Sequence, residues 1–194
     1  MNEPITPSSR AFFEEMYAAN PDPWNFACSA YELSRYDALI STLQGQRFKN
    51  AFEPGCSIGV LTQRLAPHCD SLFAMDLSLN AVERARQRCA RFPHVQVEQG
   101  SALEAAPGSI DLLVLSEIGY YFSADVLSEW SDRLIASMVA DSTILVAHWL
   151  GDSSDHQLGG DEVHAIIGER ARHHRYDIAL SQRNEDFRLD LWKR

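Results

Sequence analysis

The chain has 194 residues, which suits one domain with a real core and is short for two. Its apolar share of 45% and charged share of 23% are those of an ordinary soluble globular protein. A formal net charge of −10 repels phosphate backbones and argues against a nucleic-acid partner.

Against that average, Arg170, Arg172, His173, His174 and Arg175 form a basic run. It reads as a solvated helix end or as a patch for an anionic group. The cysteines Cys28, Cys56, Cys69 and Cys89 contain no C-x-x-C pair, so neither zinc nor thioredoxin-type chemistry is expected and no metal is assigned. No signal-peptide pattern opens the sequence, and no apolar run approaches transmembrane length. The expectation is a cytoplasmic protein with reduced thiols and no membrane span.

In chain order, the first ten residues read as a loose arm. Phe12, Phe13, Met16 and Tyr17 recur at helical spacing and predict a short amphipathic helix. Asn20-Pro21-Asp22-Pro23-Trp24 breaks it, because proline lacks a donor and biases its neighbours to extended shapes. A second helix is predicted from Tyr31 to Leu43, with Tyr31, Tyr36, Leu39, Ile40 and Leu43 inward. Strand and helix then alternate. Strands are predicted over 48–53, 71–75, 94–98, 110–115 and 143–147, and helices over 60–66, 78–91 and 123–138. Ser78 is placed as a helix cap, and Asp161 as the cap of a further helix running to Arg172. Two strand-like runs close the chain, over 176–180 and 187–191. Between them there is no room for a crossover helix, so they are expected to pair as an antiparallel hairpin at the sheet edge. The continuous apolar run at 110–115 fits a strand buried on both faces. The fold class is therefore α/β: a doubly wound, mostly parallel seven-stranded sheet in a single domain over 1–194, with a helical cover over 1–45 and the sheet core over 46–194.

In such a sheet a ligand binds at the carboxyl ends of the strands, near the switch point. Glu53-Pro54-Gly55-Cys56-Ser57-Ile58-Gly59 lies there. Gly55 lets backbone approach a ligand closely, and Gly59 lets the next helix pack tightly. Twenty-one residues beyond Gly55, the second strand ends in Asp76, whose carboxylate can accept both ribose hydroxyl protons. Gly100-Ser101-Ala102 follows the third strand, where an adenine ring can be held. The nicotinamide fingerprint G-x-G-x-x-G is not met.

These residues resemble the class I S-adenosylmethionine-dependent methyltransferases, whose first motif is E/D-x-G-x-G-x-G. Ser57 stands where that motif has its middle glycine, and Ser101 where an acid is usual. More closely, the chain resembles the nodulation protein S (NodS) family. The likeness rests on Asn20-Pro21-Asp22-Pro23-Trp24 with Tyr31-Glu32, on the run from Glu53 to Thr62, and on Ser116-Glu117-Ile118-Gly119-Tyr120-Tyr121. His148-Trp149, Gly160-Asp161-Glu162-Val163-His164 and Leu189-Asp190-Leu191-Trp192 extend it. The resemblance implies S-adenosyl-L-methionine as cofactor, held by Glu53, Gly55, Cys56, Ser57, Gly59, Asp76, Leu77, Ser101, Ala102 and Ser116. It also implies a small-molecule amine acceptor, the free amine of an amino sugar such as a deacetylated chitooligosaccharide, with another small-molecule amine or hydroxyl as the alternative.

The remaining site residues each carry two readings. Glu117 follows the buried fourth strand and either orients and deprotonates an amine or caps a loop. Tyr120 and Tyr121 either meet a sugar ring or the sulfonium, or pack in the core. His148, with Trp149 beside it, either faces the cleft or is a structural histidine bonded to backbone. Asp161 and His164, at i and i+3, either bind substrate or a metal, or serve the helix. Trp24 and Tyr31 suit a cover over a cationic cofactor. Arg35 either binds the methionine carboxylate or is a solvated residue of a packed helix. Glu117, Tyr121 and His148 are thus the catalytic candidates, and Tyr120, Trp149, Asp161 and His164 the substrate-binding ones. A non-catalytic module sensing S-adenosylmethionine or its demethylated product is the rival from another class.

Overall fold

The computed structural model describes residues 9–194, so the expected loose arm lies mostly outside the described residues. The elements in chain order are α1 (Arg10–Ala19), α2 (Ala30–Thr42), β1 (Phe48–Pro54), α3 (Val60–Leu65), β2 (Cys69–Asp76), α4 (Leu79–Cys89) and β3 (Val95–Gln99). There follow β4 (Leu112–Ser116), a 3-10 turn (Gly119–Tyr121), α5 (Ala124–Ala136), β5 (Thr143–Trp149), α6 (Gly160–His173), β6 (Asp177–Arg183) and β7 (Phe187–Lys193).

The strands form one seven-stranded sheet in the order β3-β2-β1-β4-β5-β7-β6. The pairs β1 with β4, β2 with β3 and β4 with β5 are parallel, whereas β7 runs antiparallel to both β5 and β6. The terminal hairpin is thus as expected, with β7 the inner strand of the two. The order reverses at β1, so the switch point lies where β1 and β4 run side by side.

By its contacts the chain divides into two compact units. The first runs to Lys49 and resumes over Glu53–Ala106. In it, α4 lays Val82 and Ala85 on Ala74 and Val97 of the sheet, with Cys56 from the turn after β1 closing the cluster. Serine caps start its longer helices: Ser9, Ser29 and Ser78 each accept the N–H three residues on.

The second unit comprises Asn50–Phe52 and Pro107–Arg194. Leu112 to Leu115 and Ile144 to Ala147 are buried throughout, as two-faced coverage requires. Leu127, Trp130 and Ile135 of α5, and Val163, Ile167 and Ala171 of α6, supply further core. Each large apolar side chain so buried contributes about 1.5–3 kcal/mol. Asp161 is not the cap of α6. The N-cap is Gly159, and Glu162 reaches back to accept the Gly159 N–H at 2.7 Å. Because a glutamate three residues on can satisfy that donor, no cap side chain is needed at the helix start.

Candidate active site

In the first unit the turn after β1 is built on left-handed backbone. Gly55 has φ 73°, Ser57 φ 50° and Gly59 φ 77°. A Cβ on Gly59 would stand 2.9 Å from Ala85 Cα, so the glycine lets α3 and α4 pack, as expected. Cys56 N–H bonds the Met75 carbonyl at 2.9 Å, fixing the turn to the end of β2. Ser57 pays a steric cost for its positive φ, and its polar groups are well used there. Its N–H donates to Asp76 Oδ2 at 2.9 Å, and its hydroxyl accepts from Tyr17 at 2.5 Å.

Asp76 ends β2, and its Oδ1 accepts the Ser78 N–H at 2.9 Å. Each carboxylate oxygen thus holds one backbone N–H and keeps a lone pair for another donor. Burial pushes the Asp76 carboxyl up to about 6 despite these bonds. Glu53 is more extreme. It is 3% exposed, and burial, with the Asp76 charge adding, pushes it up to about 8 although the Thr62 hydroxyl lies beside it. Its Oε2 forms no well-formed hydrogen bond with any described residue. A buried carboxyl pair of this kind is stabilised by a cation and by hydroxyl donors. S-Adenosylmethionine carries an ammonium, a sulfonium and two ribose hydroxyls, so the residues present fit it.

Two further elements of this unit bear on the same turn. Glu14 of α1 accepts from the Ser78 hydroxyl and from Leu79 N at 3.0 Å, at the start of α4. Burial raises its carboxyl, but these bonds and those from Asn80 outweigh it and hold the pKa below the usual value. Trp24 meets Tyr17 edge-on, with centroids 5.7 Å apart, and stacks on Phe26 at 5.4 Å. Tyr31 is half-buried on α2. Arg35 is not solvated: it is fully buried, pairs with Glu32 at 2.5 Å and lies 4.9 Å over the Tyr36 ring. Leu77 and Ser101 are half-buried and Ala102 is buried; Ser101 Oγ accepts the Leu103 N–H at 3.3 Å.

In the second unit Glu117 leaves β4, whose last residue is Ser116, with φ 57°, an unfavourable backbone for this side chain. The strained turn is held by defined bonds. Glu117 N–H reaches the Ala147 carbonyl at 3.1 Å, Oε1 accepts the Trp149 N–H at 2.8 Å, and Oε2 accepts the Tyr120 hydroxyl at 2.6 Å. His148 is fully buried, and its Nε2 accepts the Gly119 N–H at 3.0 Å. That bond puts the proton of the neutral ring on Nδ1. A Cβ on Gly119 would come within 2.3 Å of Val163 Cγ1, so only glycine lets the turn lie against α6.

His156 completes this cluster. Its ring stacks on Tyr120 at 3.7 Å and meets Tyr121 edge-on at 5.2 Å. Burial holds its pKa below the usual value, although Asp155, Glu117 and Asp152 pull the other way. Gln157 pins the loop in place, its N–H on the Tyr120 carbonyl and its side chain on the Tyr121 carbonyl, both at 2.8 Å. Glu117, Tyr120, Tyr121, His148 and Trp149 thus lie together in this unit. Glu14, Tyr17 and His156 were not foreseen. Tyr17 showed only as an apolar position, and no spacing marks a histidine in a Gly- and Asp-rich loop.

Asp161 and His164 turn to different partners. Asp161 is half-exposed and pairs with Arg183 at 2.9 Å and Arg188 at 3.3 Å, with Arg183 chiefly holding its pKa down. His164 is buried, its Nδ1 on Asp190 Oδ2 at 2.7 Å, and Asp190 also accepts from Ser181 at 2.6 Å. Neither residue shares a partner with Glu117 among the bonds described above.

Comparison with known proteins decides the family. The nodulation protein S (NodS) family model matches residues 9–175. The chain belongs to the nodulation protein S family. It is an S-adenosylmethionine-dependent methyltransferase. Nodulation protein S of Bradyrhizobium diazoefficiens is 30% identical over 169 residues, covering 80% of this chain and 77% of that protein. A Pseudomonas syringae protein provisionally assigned as a methyltransferase is 36% identical, with TM-score 0.74, 86% of this chain covered and 100% of the other. The N-methyltransferase NodS of Bradyrhizobium japonicum WM9, solved with S-adenosyl-L-homocysteine, shares the fold at TM-score 0.81 and 24% identity, with 95% and 97% covered.

Proposed function

We propose that this NodS-family enzyme transfers a methyl group to the free amine of an amino sugar such as a deacetylated chitooligosaccharide. The observation that carries this reading is the Glu117 carboxylate, held by the Trp149 N–H and the Tyr120 hydroxyl among Tyr121 and His156. S-Adenosylmethionine, when bound, supplies a methyl group already activated on a sulfonium. In this reading Gly55, Ser57 and Gly59 give the cofactor close backbone approach, and Asp76 takes the ribose hydroxyls. Glu53 answers the cationic methionine end. Arg35, already matched by Glu32, shapes the cover that Trp24 and Tyr31 belong to.

On the acceptor side, Glu117 attracts the sugar ammonium and holds the nitrogen in one orientation; alignment is the larger part of what a methyl transfer needs. The nitrogen loses its proton before it uses its lone pair, and the carboxylate or a water on it receives that proton. Tyr121, His156 and Trp149 offer aromatic faces to a pyranose ring. His148 positions the turn through Gly119. Asp161, on the rim of the same unit, offers a carboxylate to a more distant sugar. The four free thiols fit a reducing compartment, and we place the enzyme in the cytoplasm. Among the described residues no helix is long and apolar enough to cross a membrane.

The test is incubation with methyl-labelled donor and a panel of acceptors: deacetylated and fully acetylated chitooligosaccharides, glucosamine and simple alkylamines. Label is expected on the deacetylated oligosaccharide alone or foremost. Transfer only to a different amine or to a hydroxyl would overturn the acceptor. Tight binding of S-adenosylhomocysteine without transfer to any acceptor would favour a sensor.

A further inference from the structure

The basic run at the end of α6 hides a ligand set that spacing along the chain does not show. Asp132 of α5 faces His173, the last residue of α6, and His174, its C-cap. His174 Nε2 lies 2.9 Å from Asp132 Oδ1, and one ligand atom from each of the three residues falls within 4.8 Å of the others. The two imidazoles stand edge to face with centroids 5.1 Å apart. We propose that Asp132, His173 and His174 form a binding site for a zinc-like divalent cation that clips α5 to α6.

Two imidazoles and one carboxylate are the donor set of a borderline-soft ion that accepts tetrahedral geometry. At metal–ligand distances of about 2.1 Å, tetrahedral ligands sit about 3.4 Å apart. The existing spread therefore needs a rotation of His173, which is exposed, and a parting of His174 Nε2 and Asp132 Oδ1 from 2.9 Å to about 3.4 Å. The fourth position falls to water. On binding, the cation replaces the proton shared by His174 and Asp132, so that contact is exchanged for two stronger ones.

Nearby arginines do not forbid this. Arg170 pairs with Glu169, and Arg172 lies 5.2 Å over the Trp192 ring. Arg194 lies 4.8 Å over Tyr176, with its guanidinium on the Met138 and Val139 carbonyls at 2.9 Å. Arg194 also donates to the His174 carbonyl at 3.4 Å, so its guanidinium meets the backbone of that residue and not its ligand nitrogen, while the carbonyl end of α6 and a net charge of −10 both favour a cation. Asp132 precedes His174 by 42 residues, which is why no compact motif signals the set.

The experiment uses the full chain, stripped of metal and of any affinity tag, titrated with Zn²⁺ by calorimetry and with Co²⁺ by visible absorption. One equivalent is expected. Affinity should fall at least about tenfold in His173→Ala, His174→Ala and Asp132→Asn, and remain in Cys28→Ser, which removes the exposed thiol. Zn²⁺ should also raise the melting temperature of the parent protein and not that of His173→Ala. His173→Ala is the decisive variant, because its side chain makes no hydrogen bond described above and its loss leaves the His174–Asp132 contact in place. Unchanged affinity in His173→Ala, loss of binding in Cys28→Ser, or no stoichiometric binding to the parent protein would each overturn the proposal.

Discussion

The two units carry their candidate residues by different means. In the first, the site is mostly backbone: left-handed residues at Gly55, Ser57 and Gly59, and a carboxylate at Asp76 bonded to two amide N–H groups. In the second it is mostly side chain: Glu117, Tyr120, His148 and His156, each held by the others or by one short loop. A backbone site fits a ligand of fixed shape, such as the cofactor. A side-chain site can be altered residue by residue, which suits it to selecting an acceptor. Each unit should therefore fail separately when its own residues are changed.

The largest effect is expected in the second unit. Glu117→Gln keeps the shape and removes the charge. The Tyr120 hydroxyl can turn to accept from the new amide, so the turn should survive. Methyl transfer is expected to fall about 10²–10⁴-fold. Affinity for S-adenosylhomocysteine should barely move. A variant as fast as the parent at every pH would remove Glu117 from the chemistry.

Asp76→Ala strikes the first unit. It strips the acceptor from Ser57 N–H and Ser78 N–H as well as from the ribose, each bond to a charged group being worth about 1.5–3 kcal/mol. Calorimetry should show much weaker binding of S-adenosylhomocysteine. Asp76→Asn, which keeps one acceptor oxygen, should lose less. Equal affinity in Asp76→Ala and the parent would sink the ribose role.

The difference between the units also explains what could be read from the chain. A backbone site needs glycine at fixed spacing and an acid at a strand end, so Gly55, Gly59 and Asp76 stand out in sequence. The strands stand out too, because buried runs such as Leu112 to Leu115 have no polar break. Glu117 and His148 were placed by their strand ends, but their partners were not. Whether His148 touches ligand or backbone depends on a turn 29 residues away. Asp161 showed the same limit, since a reaching Glu162 displaced it as cap. His156 sits in a loop with no period to betray it, and Arg35 carried no sign that Glu32 would bury it.

A third prediction concerns the polar core of the second unit. Burial lowers the His164 pKa and outweighs the pull of Asp190. For Asp190 burial pushes upward, but the bonds from His164 and Ser181 prevail and its pKa is lowered. At this pair the unfolded state therefore binds more protons than the folded one as pH falls. Its contribution to stability is full above about pH 6.5, the unfolded histidine value, and declines below it, with Asp190 adding to the loss at still lower pH. His156 acts in the same direction and the raised carboxyls of Glu53 and Asp76 in the opposite one, so a variant must isolate the pair. His164→Asn keeps an N–H donor for Asp190 and cannot titrate. Its melting temperature should fall less than the parent's between pH 7.5 and 5.5. Parallel curves would remove His164 as the cause.

The smallest effect tests Ser57, which carries a side chain on the left-handed backbone that Gly55 and Gly59 share with it. Ser57 holds φ 50° where glycine would be unstrained, at a cost of about 1–2 kcal/mol. Its hydroxyl accepts from Tyr17, which returns about 0.5–1.5 kcal/mol. Ser57→Gly relieves the first and loses the second, while glycine also makes the unfolded chain freer. The urea midpoint should therefore move by no more than about 1 kcal/mol in equivalent stability. Ser57→Ala keeps the strain and still loses the hydroxyl, so it should be the less stable of the two. Only the backbone separates those variants. If alanine proved as stable as glycine, the left-handed turn would not be what fixes this residue, and the contrast between the two units would lose its clearest case.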